Sequence, residues 1–120
     1  MNPVYKRNEG FRLTFENPVP GTFIILMMQG KSAGANKGTL TIIDMSLKGA
    51  KVFSTLQLPT PNTQIKIETT ITDQPLSIEG ELIWSRKSST GYTYGVLFDI
   101  HSYSEQKLLS ELKTYVATNK

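Results

Sequence analysis

The sequence contains no cysteine and a single histidine, His101. Disulfides and thiolate metal sites are therefore excluded, and a lone histidine has no obvious partner for nucleophilic catalysis or a metal cluster. We expect His101 to be a surface or strand-end residue. These absences predict a protein that is not an enzyme, with no catalytic residue, no metal ligand and no cofactor.

Long apolar runs are also absent. The longest, FIILMM at Phe23–Met28, is far too short to span a bilayer. The first ten residues, MNPVYKRNEG, carry charges where a signal peptide has an apolar region. The sequence thus predicts a soluble, cytoplasmic protein without membrane insertion.

Basic residues are in slight excess, with 13 Lys and Arg against 10 Asp and Glu, for a net charge of +3. Lys6, Arg7 and Arg12 lie close together near the start, with only Glu9 among them. Their local field is positive and favours an anionic partner, although a solvated basic edge would have the same composition.

Short strand patterns separated by turn signals run through most of the 120 residues. The strand patterns are FRLTF, GTFIILMMQG, GTLTIIDMS, AKVFSTL, TQIKIETTI, LSIEGELIWSRK and YTYGVLFDI. The turn signals are NPVPG, GKSAGANKG, LPTPN, TDQP and KSSTG. The pattern predicts one all-β domain, a six- to seven-stranded antiparallel barrel or sandwich.

The end of the chain changes to a helical period. SEQKLLSELKTYVA predicts a helix over residues 104–117, with Ser104 as its cap. Leu108 and Leu112 fall on the apolar stripe, while Glu111 falls largely on the opposite side. We expect this helix to close an end or a seam of the barrel; binding a partner with the apolar stripe is the alternative.

The stretch TIIDMSLKGA, residues 41–50, combines strand-forming residues with polar ones. Asp44 and Ser46 are two apart, so an extended strand projects both to one side. Gly49 suits a hairpin turn with a positive φ, or a place where a ligand approaches the backbone. The alternative is that both polar side chains only satisfy backbone groups of the turn.

Asp44-Met45-Ser46-Leu47-Lys48-Gly49 matches the D-x-S-x-x-G motif of the PilZ family and follows a basic segment, YKRNEGFRLTF. GELIWSRKSSTGYTYGVLFDI resembles the closing strand pair of that family, again followed by a helix. The resemblance implies a PilZ-like β-barrel with a C-terminal α-helix. It divides a single domain, residues 1–120, into a basic N-terminal segment (1–10), the barrel (11–101) and the helix (104–117).

Many PilZ domains bind cyclic di-GMP, so the resemblance implies that ligand. Arginine pairs with phosphate or with guanine O6 and N7, and aspartate accepts hydrogen bonds from guanine N1 and N2. The motif positions imply Arg12, Asp44, Ser46 and Gly49 as ligand-binding residues. The resemblance also implies a protein partner in motility, exopolysaccharide or pilus systems, to which the receptor relays the signal.

The N-terminal motif of the family, R-x-x-x-R, is incomplete. Counting back from Arg12 places Asn8 at the first arginine and Arg7 just before it. Arg7 and Arg12 have opposite parity in a regular strand, so Arg7 replaces that arginine only if Gly10 carries a bulge. Loss of the charge costs roughly 1.5–3 kcal/mol, or roughly 10- to 200-fold in affinity. We include Arg7 and Asn8 among the ligand-binding residues.

Other interpretations stay open. A degenerate PilZ-like protein interaction module, which does not bind cyclic di-GMP, is the main alternative because of Asn8. An oligonucleotide-binding barrel, prompted by Phe11, Phe15, Tyr92 and Tyr94, is disfavoured because these aromatics suit the core or strand pairing better. Trp84 is expected to pack under an end of the barrel, with a position beside the ligand as the second interpretation.

Overall fold

The computed structural model describes residues 12–29, 31–32 and 36–118. Within these residues, seven strands precede one helix. They are β1 (Arg12–Met28), β2 (Lys31–Ser32), β3 (Lys37–Ser46), β4 (Gly49–Ser54), β5 (Thr63–Thr70), β6 (Pro75–Lys87), β7 (Tyr92–Phe98) and α1 (Glu105–Thr118).

Six of these strands form a closed antiparallel barrel. Their order is β1-β3-β4-β7-β6-β5, and β5 pairs back with β1. The short β2 pairs with the end of β1. The β1–β5 pairing closes the barrel, and the predicted antiparallel barrel with a C-terminal helix is confirmed.

The turn predicted at NPVPG is wrong, because β1 continues through it as one strand. Its first part pairs with β3 up to Thr14, and the pairing resumes at Val19 after a register shift. Pro18 lies in this shifted stretch, where its missing N–H removes no ladder hydrogen bond. The strand therefore continues past Pro18, and from Gly21 on it pairs with β5 as well as with β3.

The barrel interior is filled by the inward-facing residues of all six strands. The most deeply buried are Phe23, Ile42, Met45, Val52, Ile65, Ile67, Ile78, Leu82 and Tyr94. Burying each of the larger apolar side chains contributes about 1.5–3 kcal/mol, so this cluster holds the strands in register.

A bulge in β3 sets the direction of Asp44. Ile42 pairs with Val52, but the next pair is Asp44 with Lys51, so Ile43 is the extra residue. Without this residue, Asp44 would follow Ile42 into the core. The bulge resets the alternation, so Met45 is buried in the core and Asp44 lies on the outer wall.

The helix closes one end of the barrel, as the sequence predicts. Leu108 and Leu112 belong to the core, and Tyr115 meets Phe15 edge to face with ring centroids 5.0 Å apart. The Ser104 hydroxyl accepts a hydrogen bond from Lys107 N at 3.1 Å, so the predicted cap is also confirmed.

Glu111 departs from the prediction, because it is buried instead of facing solvent. Its Oε1 accepts hydrogen bonds from the backbone N–H groups of Thr72, Asp73 and Gln74 and from the Thr72 hydroxyl. Burial alone raises the pKa of Glu111, but these hydrogen bonds outweigh burial and hold the pKa below its ordinary value of 4.5. The carboxylate thus fastens α1 to the β5–β6 turn.

The start of the helix also contacts the β3–β4 turn. Tyr103 donates its hydroxyl proton to the carbonyl oxygen of Leu47, and Lys48 Nζ lies 2.9 Å from Glu105 Oε2. Burial raises the pKa of Tyr103, with a further contribution from the negative charges of Glu105 and Asp99. The turn of the D-x-S-x-x-G motif is therefore joined directly to α1.

Candidate functional site

A row of residues crosses the outer wall of the barrel on neighbouring strands. Thr14 stands opposite Asp44, Asp44 opposite Lys51, and Lys51 opposite Gly95. Trp84 stands opposite Gly95 on the other side. Because paired residues share a face, the strand register alone brings β1, β3, β4, β7 and β6 to one surface.

A groove of about 350 Å³ lies along this row, and we call it the Asp44 groove. Its lining residues are Arg12, Asp44, Ala50, Lys51, Ile83, Trp84, Gly95 and Val96. Two strand bulges shape it, one at Ile43 and one at Ile83, where the β6–β7 register shifts between Leu82 and Trp84. Bulges often redirect side chains in this way beside functional sites.

Asp44 is held between two cations in this groove. Arg12 Nη1 lies 2.5 Å from Asp44 Oδ1, and Lys51 Nζ lies 3.7 Å from Oδ2. The Asp44 side chain is only 10% exposed, whereas those of Arg12 and Lys51 are 49% and 44% exposed. The carboxylate is thus fixed at the bottom, while the cationic groups remain accessible to a ligand.

The groove has both components that a nucleotide requires. Two cations against one carboxylate leave an excess positive charge, which suits a phosphate. The Asp44 oxygens can accept hydrogen bonds from the N–H edge of a guanine, which arginine and lysine cannot do. A phosphate or a guanine that binds there changes the existing contacts between Asp44 and its two cations.

Trp84 forms the opposite side of the groove. It is 40% exposed, and its indole lies against Gly95, where an added Cβ would overlap indole Nε1. The expected position under an end of the barrel is therefore wrong, and Trp84 lies on the outer wall beside Asp44. An exposed indole face is a surface on which a base can stack.

Ser46 is used by the turn that follows β3. Its buried hydroxyl accepts hydrogen bonds from the N–H groups of Lys48 and Gly49, each at 3.2 Å. The Asp44 carboxylate, in contrast, contacts the cations of the groove. The two polar residues of the motif therefore have different contacts in this structure, and the turn interpretation applies to Ser46.

Gly49 permits a close approach of two strands. An added Cβ would lie 2.5 Å from the carbonyl oxygen of Val96 on β7, and the φ of Gly49 is outside the left-handed region. The glycine is thus required by the β4–β7 contact and not by a left-handed turn. Arg7 and Asn8 lie outside the described residues, whereas Arg12 is the first residue of β1.

Sequence reasoning missed Lys51 as a neighbour of Asp44. The signal was available, because a two-residue turn at Leu47-Lys48 places the two strands in antiparallel register. The bulge at Ile43, which shifts that register by one, had no comparable signal. Core packing determines the bulge, because it places Met45 in the interior instead of Asp44.

A larger groove, of about 550 Å³, lies elsewhere on β1, β3, β4 and β5. Its lining is mainly threonine and apolar, and its charged residue is Glu68. A groove with a carboxylate and no cation repels an anionic ligand, so the smaller Asp44 groove is the better candidate for one.

Two further features of the described residues bear on function. They contain no group of three or more His, Asp or Glu side chains that could hold a metal ion. No helix in the described part of the chain is both long and apolar enough to cross a membrane.

Comparison with known proteins agrees with the fold. The PilZ domain family model matches residues 6–117. The solved PilZ domain of YcgR from Escherichia coli, described as a structure with c-di-GMP, is similar with a TM-score of 0.58 and 14% sequence identity over 85% of each chain. No curated protein matches the sequence.

The family model spans almost the whole chain, including the Asp44 groove and α1. PilZ domains are non-catalytic modules of cyclic di-GMP receptors, so the family agrees with the prediction that the chain is not an enzyme. The chain belongs to the PilZ domain family.

Proposed function

We propose that this protein is a non-catalytic cyclic di-GMP receptor that binds its ligand in the Asp44 groove. The observation that carries the proposal is the buried carboxylate of Asp44 between the accessible cations of Arg12 and Lys51. Family membership and the likeness to a PilZ domain solved with c-di-GMP support this ligand.

We assign each residue of the groove to a different part of the ligand. Asp44 accepts hydrogen bonds from N1 and N2 of one guanine, while Arg12 binds a phosphate or the O6/N7 edge. Lys51 adds positive charge beside the phosphates, and Trp84 offers its exposed face for stacking. Ser46 and Gly49 hold the turn that keeps Asp44 in position.

Arg7 and Asn8 complete the proposed site from the N-terminal segment. Their contribution is a second cationic group over the phosphates, with Arg7 as the charge and Asn8 as a neutral hydrogen-bonding residue. Ordering of this segment on the ligand is the switch that we propose.

In this proposal the protein is cytoplasmic and passes the signal to a protein partner. The contacts of Leu47 with Tyr103 and of Lys48 with Glu105 give the relay a physical route, because they join the motif turn to α1. Motility, exopolysaccharide synthesis and pilus biogenesis are the candidate outputs.

The alternative function is a PilZ-like protein interaction module that does not bind cyclic di-GMP. Asn8 favours it, since the first arginine of the R-x-x-x-R motif is missing. Asn8→Arg separates the two functions. A large gain from near-zero affinity supports the degenerate module, whereas little change supports the receptor.

The direct test uses the fluorescence of Trp84, the single tryptophan of the chain. Because its indole borders the Asp44 groove, addition of cyclic di-GMP should change the emission with a saturable dose dependence. Asp44→Ala should remove the response, whereas Glu68→Gln, an exposed carboxylate on β5, should retain it. An unchanged response in Asp44→Ala would contradict the proposed site.

A further inference from the structure

A second surface, on β6 and β7, has the opposite charge to the Asp44 groove. A shallow groove of about 260 Å³ is bordered there by Glu79, Glu81 and Asp99, with Leu26 and Leu97 between them. Ile100 follows directly along the chain and is also exposed. We call Glu79, Glu81, Leu97, Asp99 and Ile100 the acidic wall.

The apolar part of the acidic wall is unusually open to solvent. Leu97 is 53% exposed and Ile100 is 52% exposed, the highest values among the large apolar side chains that the structure describes. Exposed apolar side chains rimmed by charge are typical of protein interaction sites.

The carboxylates of the acidic wall form no ion pair within the described part of the chain, although Lys66 on β5 stands opposite Glu79. The ion pairs found there involve Asp44 and Glu105, and none involves Glu79, Glu81 or Asp99. Three carboxylates beside this one lysine give the wall a local negative field on a chain whose net charge is +3. Such a field selects a cationic partner.

We propose that the acidic wall docks a basic segment of a partner protein, with lysine or arginine residues beside an apolar side chain. The charges favour cations, and the small groove suits one anchoring side chain better than a drug-sized ligand. Glu81 pairs with both Gln64 and Leu97, and Leu97 also pairs with Gly49, so no strand edge is free at this wall. The segment therefore binds through side chains and not by strand addition.

The same charges argue against other occupants. A second copy related by a two-fold axis would bring the acidic wall against itself and oppose like charges. Nucleic acids, anionic lipids and cyclic di-GMP itself are repelled for the same reason. The wall is thus a protein-docking surface separate from the nucleotide groove, and it does not depend on the proposed ligand.

The test uses a synthetic peptide of alternating lysine and leucine as the probe, titrated into the full-length, ¹⁵N-labelled protein. We expect amide shifts on β6 and β7 at residues 79–82 and 96–100. A peptide with glutamate in place of lysine, and one with serine in place of leucine, should bind more weakly. Equal binding of the glutamate peptide, or shifts confined to other strands, would overturn the proposal.

Two single variants locate the contact. Leu97→Ser and Glu79→Gln should each weaken peptide binding about fivefold, the size of one partly exposed contact. Their matched controls are Val116→Ser, an exposed apolar residue of α1, and Glu68→Gln on β5, and both should bind like the wild type. Unchanged binding by Leu97→Ser and Glu79→Gln would overturn the proposal.

Two more measurements identify the occupant. Self-association in sedimentation that Leu97→Ser abolishes would assign the wall to a second copy and overturn the proposed partner. Tighter peptide binding by the double variant Lys6→Gln and Arg7→Gln would assign the acidic wall to the chain's own N-terminal segment. That result would also overturn the proposed partner. Since no nucleotide is present, failure here leaves the proposed receptor function unaffected.

Discussion

The indole of Trp84 occupies the space that a side chain at Gly95 would fill. These residues face each other on β6 and β7, and their contact forms one side of the groove that contains Asp44. The shape of the proposed binding surface therefore depends on a glycine that makes no polar contact with a ligand.

Gly95→Ala tests this dependence. The new methyl group displaces the indole, so we expect a shift in tryptophan emission and a loss of about 1–3 kcal/mol in the free energy of unfolding. Fluorescence and urea unfolding measure the two effects. Gly21→Ala is the control for the emission, because the nearest neighbours of an added Cβ there are Glu68, Thr69 and Leu40 and not the indole. An unchanged emission spectrum of Gly95→Ala would contradict the contact.

Glu111→Gln should change how stability depends on pH. A carboxylate with a lowered pKa in the folded state stabilises the fold above its ordinary value of 4.5, and that stability is lost as the pH falls below it. We expect the variant to be about 2 kcal/mol less stable at pH 7 and to lose less stability on acidification.

Urea unfolding between neutral and acidic pH measures the Glu111 effect. The exposed Glu68 provides the control variant Glu68→Gln, which should follow the wild-type curve. Parallel curves for the wild type and Glu111→Gln over the acidic range would show that the buried carboxylate is not the source of the pH dependence.

Ser46→Ala should act mainly on stability. Removing the hydroxyl leaves the N–H groups of Lys48 and Gly49 without their acceptor, which costs about 1–3 kcal/mol. Ser77→Ala, at an exposed serine on β6, should have little effect on chemical denaturation. If Ser46→Ala leaves stability unchanged but removes ligand binding, the hydroxyl contacts the ligand and not the turn.

Lys51→Gln should weaken cyclic di-GMP binding and reduce its dependence on salt. Loss of one charge beside the phosphates lowers the affinity by about tenfold and removes part of the electrostatic attraction. Titrations at two ionic strengths measure both quantities, with Lys66→Gln on β5 as the control. Equal affinities for Lys51→Gln and the wild type would exclude Lys51 from the site.

The sequence predicted the strands and the helix well, because their apolar residues follow regular periods. It failed at NPVPG, where closure of the barrel overrides the usual turn preference of proline and glycine. It also failed at Glu111, since a helical period cannot show that a turn 37–39 residues away along the chain supplies four hydrogen bonds. The local sequence pattern predicts strands and helices, whereas tertiary contacts determine the structure at NPVPG and at Glu111.

The candidate site was predictable in part. Asp44 and Arg12 come from the resemblance to a known motif, and the structure brings them within 2.5 Å of each other. The two-residue turn places Lys51 opposite Asp44, but the outward direction of Asp44 depends on a bulge at Ile43 that core packing selects. The place of Trp84 depends on the small size of Gly95, two strands away from Asp44 in the ladder.

The most direct test of the central claim is isothermal titration of the full-length protein with cyclic di-GMP, beside Asp44→Ala and Arg12→Ala. We expect a dissociation constant of about a micromolar or lower for the wild type, and no measurable heat for either variant. Circular dichroism of the variants verifies that they fold. Absence of binding by the wild type, or wild-type affinity in folded Asp44→Ala, would contradict the proposed receptor site.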